Sequence, residues 1–194
     1  WGCNKVLFIG DIIDHHCISF HQKDVDADGV TREADMALKG IQKWYKAFPK
    51  AEVMIGNHDE RVFRLAASVN IPARFIRDYD IVWDTPKWQW VRDTQIDNVH
   101  YFHGTGCTGK MPALNAAKAS MKSTVIGHCH SVAGVRWNCG VDRRVFGMDT
   151  GCGVDINHPS MNYGRNMVNK PVLAAGVVLD GLPMHEIMPM ARGE

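Results

Sequence analysis

The sequence predicts an α/β fold, and three features do so. Short apolar runs at residues 5–10 and 51–55 each lead into a Gly-polar turn, as buried strands ending in loops do. Between them, residues 31–48 place Ala34, Leu38, Ile41, Tyr45 and Phe48 on one helical face. The second half reads mostly as short strands joined by hairpins.

Taken in order, Lys5–Gly10 is the first expected strand. Asp28 or Thr31 is the expected cap of the helix that follows, and Pro49 marks its end. Ala51–Ile55 is the second strand, and strand–helix–strand implies a parallel pair with a right-handed crossover. A short helix is expected from Glu60 to Ala67, and strands at Trp88–Arg92 and Asn98–His103. Lys110–Lys122 reads as a helix with Pro112 in its first turn, and Ser123–Gly127 as a strand. Hairpins are expected around Asn138-Cys139-Gly140 and around Asp180-Gly181, with residues 152–170 as a long loop. No repeat, linker or low-complexity segment interrupts the chain, so residues 1–194 read as one domain.

Composition sets the class. Hydrophobic residues make up 45% and charged residues 22%, with a net charge of +1, which fits a globular domain and announces no polyanionic partner. No apolar run approaches the roughly 20 residues of a membrane helix, and no signal peptide is visible. A cytoplasmic location is the expectation. The six cysteines form no CxxC pair or zinc-ribbon spacing, so they read as scattered reduced thiols.

Four polar clusters sit where apolar strands end: Gly10-Asp11-Ile12-Ile13-Asp14, Gly56-Asn57-His58-Asp59, His103-Gly104, and Gly127-His128-Cys129-His130. Sites in open α/β sheets form at the carboxyl ends of strands. Oxygen and imidazole ligands of this mix suit Mn, Fe, Zn or Ni better than a thiolate-loving metal. Each cluster alone has an ordinary reading, as an Asx turn or a structural histidine at a strand end.

The four in this order resemble the signature of the calcineurin-like metallophosphoesterases: Gly-Asp-x-x-Asp, then Gly-Asn-His-Asp/Glu, a lone His, and Gly-His-x-His. The resemblance spans Val6 to His130. Asn162-Tyr163 and the strand at Lys170–Leu179 are similar to the branch found in bacteriophage genomes, which would place the protein in the cytoplasm of the host cell. The resemblance implies a four-layer α/β/β/α sandwich of two mixed sheets flanked by helices. It implies hydrolysis of a phosphomonoester or phosphodiester by a hydroxide bridging two divalent ions, Mn first among Mn, Fe, Zn, Ni and Mg. It implies that Asp11 bridges the metals, that Asn57, His103 and His128 complete one metal site, and that His130 joins the other. It implies too that His58 faces the leaving group, oriented by Asp59, and that Asp14 supports the loop.

The family's opening Asp-x-His is absent from this sequence. One reading is that a preceding segment supplies it, since residue 1 is Trp; the domain then lacks its first strand here, and something must complete the sheet beside Lys5–Gly10. Another is a natural one-metal or impaired variant. A third is that His15, His16 or His21 substitutes as ligand. The residue after Asp14 is His15, where the family's protein phosphatases carry a phosphate-gripping Arg, which counts against that substrate class and leans toward a diesterase.

Three further features carry two readings each. Asp24, Asp26, Asp28 and Asp35 resemble a calcium loop, or form a solvated acidic loop at a helix start. Trp83, Trp88 and Trp90 with Lys87 and Arg92 form a nucleic-acid stacking surface or a buried strand pair. Lys110, Lys118 and Lys122 form a basic helix stripe or a solvated face. A nuclease and a non-catalytic scaffold therefore stand beside the phosphoesterase, and a phosphate-ester substrate or nucleic acid is the expected partner, with no membrane.

Overall fold

The structure, a computed structural model, describes residues 1–20, 28–155 and 168–189. His21, Asp24 and Asp26 of the acidic loop, and Asn162-Tyr163 with most of the 152–170 loop lie outside the described residues. The described residues form a mixed α/β fold with four α-helices: α1 (Val30–Ala47), α2 (Arg61–Ser68), α3 (Tyr79–Val82) and α4 (Pro112–Ser120).

Among the described residues the strands form three sheets, of three, five and two strands. Strands β1 (Leu7–Phe8), β2 (Ala51–Met54) and β3 (Trp88–Val91) form a parallel sheet in that order. Strands β4 (Asp93–Ile96), β5 (Val99–Phe102), β6 (Ser123–Ile126), β7 (Ala133–Cys139) and β8 (Arg144–Thr150) form a mixed sheet of order β4-β5-β6-β8-β7. Strands β9 (Ala174–Leu179) and β10 (Leu182–Ile187) form a separate antiparallel hairpin. It lies close on the mixed sheet, because a Cβ on Gly176 of β9 would stand 2.7 Å from Met148 Cε of β8.

The period-two alternation of β1 separates two cores. Phe8 packs with Ile41 of α1, Val53, Trp83 and Trp88 on one face. Leu7 and Ile9 pack with Val99, Tyr101, Val125, Phe146 and Met148 on the other. Each fully buried aliphatic or aromatic side chain stabilises the fold by about 1.5–3 kcal/mol. Helix α4 covers the opposite face of the mixed sheet, where a Cβ on Gly147 would meet the Leu114 backbone at 2.2 Å.

Several boundaries differ from expectation. Gly29 takes the N-cap of α1, and Asp28 instead pairs with Arg32 one turn on, at 2.9 Å. Strand β1 is shorter than Lys5–Gly10. Among the described residues it pairs with β2 alone, so ladder hydrogen bonds hold it there from one side. A groove of about 1210 Å³ opens along its other edge, between α1 and β9. The expected further strand beside Lys5–Gly10 is not among the described residues.

Trp83 and Trp88 belong to the core, and Trp90 packs against it. Trp83 and Trp88 are each 4% exposed. Trp88 Nε1 donates to the Phe48 carbonyl at 2.8 Å, and Trp90 stacks on Tyr79 with ring centroids 4.9 Å apart. Trp83 and Trp88 therefore turn little surface to solvent, while Trp90 is half-buried. Lys110 and Lys122 fall outside α4, so the three lysines make no helix stripe. Among the described residues, no helix is long and apolar enough to cross a membrane.

Candidate metal centre

Four strand-end loops bring their polar residues to one point. Asp11 follows β1 with a left-handed backbone, φ 52°. Its Oδ1 accepts from the His58 backbone N–H at 2.8 Å, which leaves Oδ2 facing inward. Two glycines make the room. A Cβ on Gly56 would stand 2.2 Å from Asp11 Oδ1, and one on Gly10 would stand 2.5 Å from His103 Nδ1. The ends of β5 and β6 are tied together, since Gly127 N and His128 N both donate to the His103 carbonyl at 3.0 Å.

His103 Nε2 is the centre of the group. Asp11 Oδ2 lies 3.0 Å from it, His128 Nδ1 3.0 Å and Asn57 Oδ1 3.1 Å. The other ring nitrogen, Nδ1, is 2.7 Å from the Ile9 carbonyl. A carbonyl only accepts, so Nδ1 carries the hydrogen, and in the neutral ring Nε2 is a bare lone pair. The Asp11 carboxylate and Asn57 Oδ1 only accept, so with Nε2 bare the one ring hydrogen that can enter the centre is that of His128 Nδ1. A proton on Nε2 or a metal cation would satisfy these acceptors together. Asp11, His103 and His128 by themselves form a possible metal site, their ligand atoms all within 4.8 Å of one another. The donor chemistry fits a divalent ion of the first transition row.

His130 does not join this group. It lies within electrostatic reach of Asp11, His58 and His103, and burial holds its ring below the ordinary value. His15 and His16 also stand outside it. The His15 ring packs on Trp83 at 5.9 Å, and His16 is buried in the turn before α1.

The two carboxylates near His58 exchange the roles expected of them. Asp59 accepts backbone N–H bonds from Gly56 at 2.8 Å, Asp11 at 2.9 Å and Ile13 at 3.1 Å. It staples the first loop to the second and does not touch the His58 ring. Burial pushes its carboxyl up to about 7, against those donors, which favour the anion. The carboxylate on the His58 ring is that of Asp14, 2.8 Å from Nδ1. Arg61 completes this corner, its Nη1 donating to the Asp14 carbonyl at 2.6 Å. No sequence signal marked Arg61, three residues beyond His58 in an ordinary helix start.

The chain matches no family model and no curated protein. The site is therefore read from its own geometry.

Asp11 and His103 share charge in the metal-free protein. Burial works to lower the His103 ring, but the Asp11 hydrogen bond and charge outweigh it and raise the ring above its ordinary value. Burial likewise works to raise Asp11, and the hydrogen bond and charge of His103, then the charge of His58, hold it low. The His103 contribution to stability is fully present below about 6.5 and is lost as pH rises through the raised folded value. The Asp11 contribution is present above about 3.8 and is lost as pH falls through the lowered folded value. The pair is thus at full strength between those limits. The expected result is that the thermal midpoint of metal-stripped wild type exceeds that of His103→Gln most near about pH 5, and less near about pH 9. A difference that stays flat across that range would show that the two side chains share no proton.

Proposed function

We propose that this chain is a metal-dependent phosphoesterase of the calcineurin-like type, built as a four-layer α/β/β/α sandwich. The reading rests on one observation above all: Asp11, Asn57 and His128, from three separate loops, bring ligand atoms to 3.0–3.1 Å from Nε2 of His103, on a fourth. Asp11 would serve as the ligand shared between two ions, with Asn57, His103 and His128 on one and His130 on the other. Divalent cations held there supply charge against phosphoryl oxygens and make water acidic enough to attack near neutral pH. The chain's own residues do the rest. The Ile9 carbonyl fixes the His103 tautomer, so that its ligand nitrogen points inward. Asp59 holds the Asp11 and Asn57 loops in register. His58 carries a proton near the leaving oxygen. Asp14 is its orienting carboxylate.

Purified protein loaded with Mn²⁺ is expected to hydrolyse bis-(p-nitrophenyl) phosphate in preference to p-nitrophenyl phosphate, and to stop when a chelator removes the metal. Preference for the mono-ester would overturn the diesterase reading. Stoichiometric metal with no hydrolysis of either ester would replace the enzyme by a metal-binding scaffold.

A further inference from the structure

Arg61 occupies a position that a merely solvated arginine avoids. It is the first residue of α2, where the positive end of the helix dipole repels a cation. Its side chain is nevertheless 10% exposed and turned inward against Asp14 and His58. Nη1 donates to the Asp14 carbonyl at 2.6 Å and lies 3.3 Å from its carboxylate. Nη2 lies 3.2 Å from His58 Nε2. On the far side of the same ring, Nδ1 lies 2.8 Å from Asp14 Oδ1.

These partners leave one tautomer. A guanidinium only donates and a carboxylate only accepts. The ring therefore carries its hydrogen on Nδ1 and a bare lone pair on Nε2. This is the less favoured form of a free imidazole, and here both sides of the ring select it. Nε2 is also the nitrogen turned toward the metal centre, 3.8 Å from Asp11 Oδ2.

We propose that Arg61 is a positioning residue that, with Asp14, fixes the His58 ring as the Nδ1–H tautomer, so that Nε2 faces the metal centre and is the atom that carries a proton to the leaving oxygen. The proposal rests on the phosphoesterase reading for its chemistry. A phosphoryl oxygen is a stronger acceptor than a ring nitrogen and draws the Nη2–H away, while Nη1 keeps its hold on Asp14. Nε2 then takes up a proton from solvent on the side that faces the leaving oxygen. The water oxygen bonds to phosphorus from the opposite side and gives its own proton to solvent, the bond from phosphorus to the leaving oxygen breaks, and the proton on Nε2 passes to that oxygen. His58 returns to its starting form.

The first test needs no activity. Long-range ¹H–¹⁵N correlation of the His58 ring in metal-free protein near about pH 8, above the ordinary histidine range, is expected to show a protonated Nδ1 and a bare Nε2. In Arg61→Ala the ring is expected to become a mixture of tautomers. An Nε2–H ring in the wild type would overturn the proposal. The second test uses the Mn²⁺-loaded protein and bis-(p-nitrophenyl) phosphate. Arg61→Ala is expected to keep its metal, to lower kcat by roughly 10- to 100-fold, as loss of an outer partner does, and to raise KM. Arg61→Lys, with one donor group in place of a fork, is expected to fall between. Unchanged kinetics in Arg61→Ala would remove Arg61 from the reaction. If the wild type cleaves no phosphate ester, the functional reading fails, and the ring tautomer decides the Arg61 assignment by itself.

Discussion

Replacing His103 by alanine is expected to abolish metal binding and turnover together. Its Nε2 is the atom the other groups surround, with Asp11 at 3.0 Å, His128 at 3.0 Å and Asn57 at 3.1 Å. Without it, the remaining ligands sit on separate loops with no common partner between them. Turnover should fall to the level of chelator-treated wild type, because the cation that activates water and neutralises the phosphoryl group is gone. The fold should survive with a cost. His103 is 3% exposed, and its Nδ1 satisfies the Ile9 carbonyl at 2.7 Å. Orphaning that carbonyl costs about 1–3 kcal/mol, which lowers the thermal midpoint by a few degrees in a domain of this size. Metal content by elemental analysis, circular dichroism and turnover are the three measurements. Wild-type metal content in His103→Ala would show that the convergence is not a ligand set.

The centre was legible because its residues sit where local rules are strict. A run such as Ala51–Ile55, bounded by Pro49 and Gly56, is too short for a helix and reads as a buried strand, and a strand that ends in Gly-Asn or Gly-Asp ends in a sharp turn at the sheet's carboxyl edge. Gly56 and Gly10 show the reason, since any Cβ there would collide with Asp11 or His103. Helix α1 was legible from its apolar face, although its cap was not. Asp28 and Thr31 were the better capping side chains, but Asp28 turned to Arg32 and left the position to Gly29. What could not be read was the pairing of like groups. Asp59 follows His58 directly and Asp14 lies 44 residues before it, yet the fold turns Asp59 to backbone amides and Asp14 to the ring. Arg61 was invisible for the same reason, because a helix start gives no hint that its side chain turns back into the site. The tryptophans were ambiguous because an aromatic beside a cation has the same pattern whether it faces solvent or core. Trp88 chose the core, with the Tyr45 and Phe8 rings packed against it.

His58→Ala is expected to keep the metal and lose the reaction. What His58 contributes to the ligand set is its backbone N–H, which holds Asp11 Oδ1 at 2.8 Å, and alanine keeps that group. Its ring stands 3.8 Å from Asp11 Oδ2, beyond hydrogen-bond distance, and is not one of the converging ligands. Removing the ring also leaves no stranded charge. Arg61 still reaches the Asp14 carbonyl at 2.6 Å and its carboxylate at 3.3 Å, so stability should change little. Turnover should fall by roughly 10²–10⁴-fold, the usual loss when a positioned acid–base group is deleted. The loss should depend on the leaving group. A p-nitrophenolate departs as a stable anion and needs little protonation, whereas an alkoxide needs the proton that His58 would deliver. An alkyl phosphodiester should therefore lose more than its p-nitrophenyl counterpart, measured side by side in wild type and variant at equal metal content. Loss of metal in His58→Ala would place the ring among the ligands. An equal loss for both leaving groups would show that the proton reaches the departing oxygen by another route.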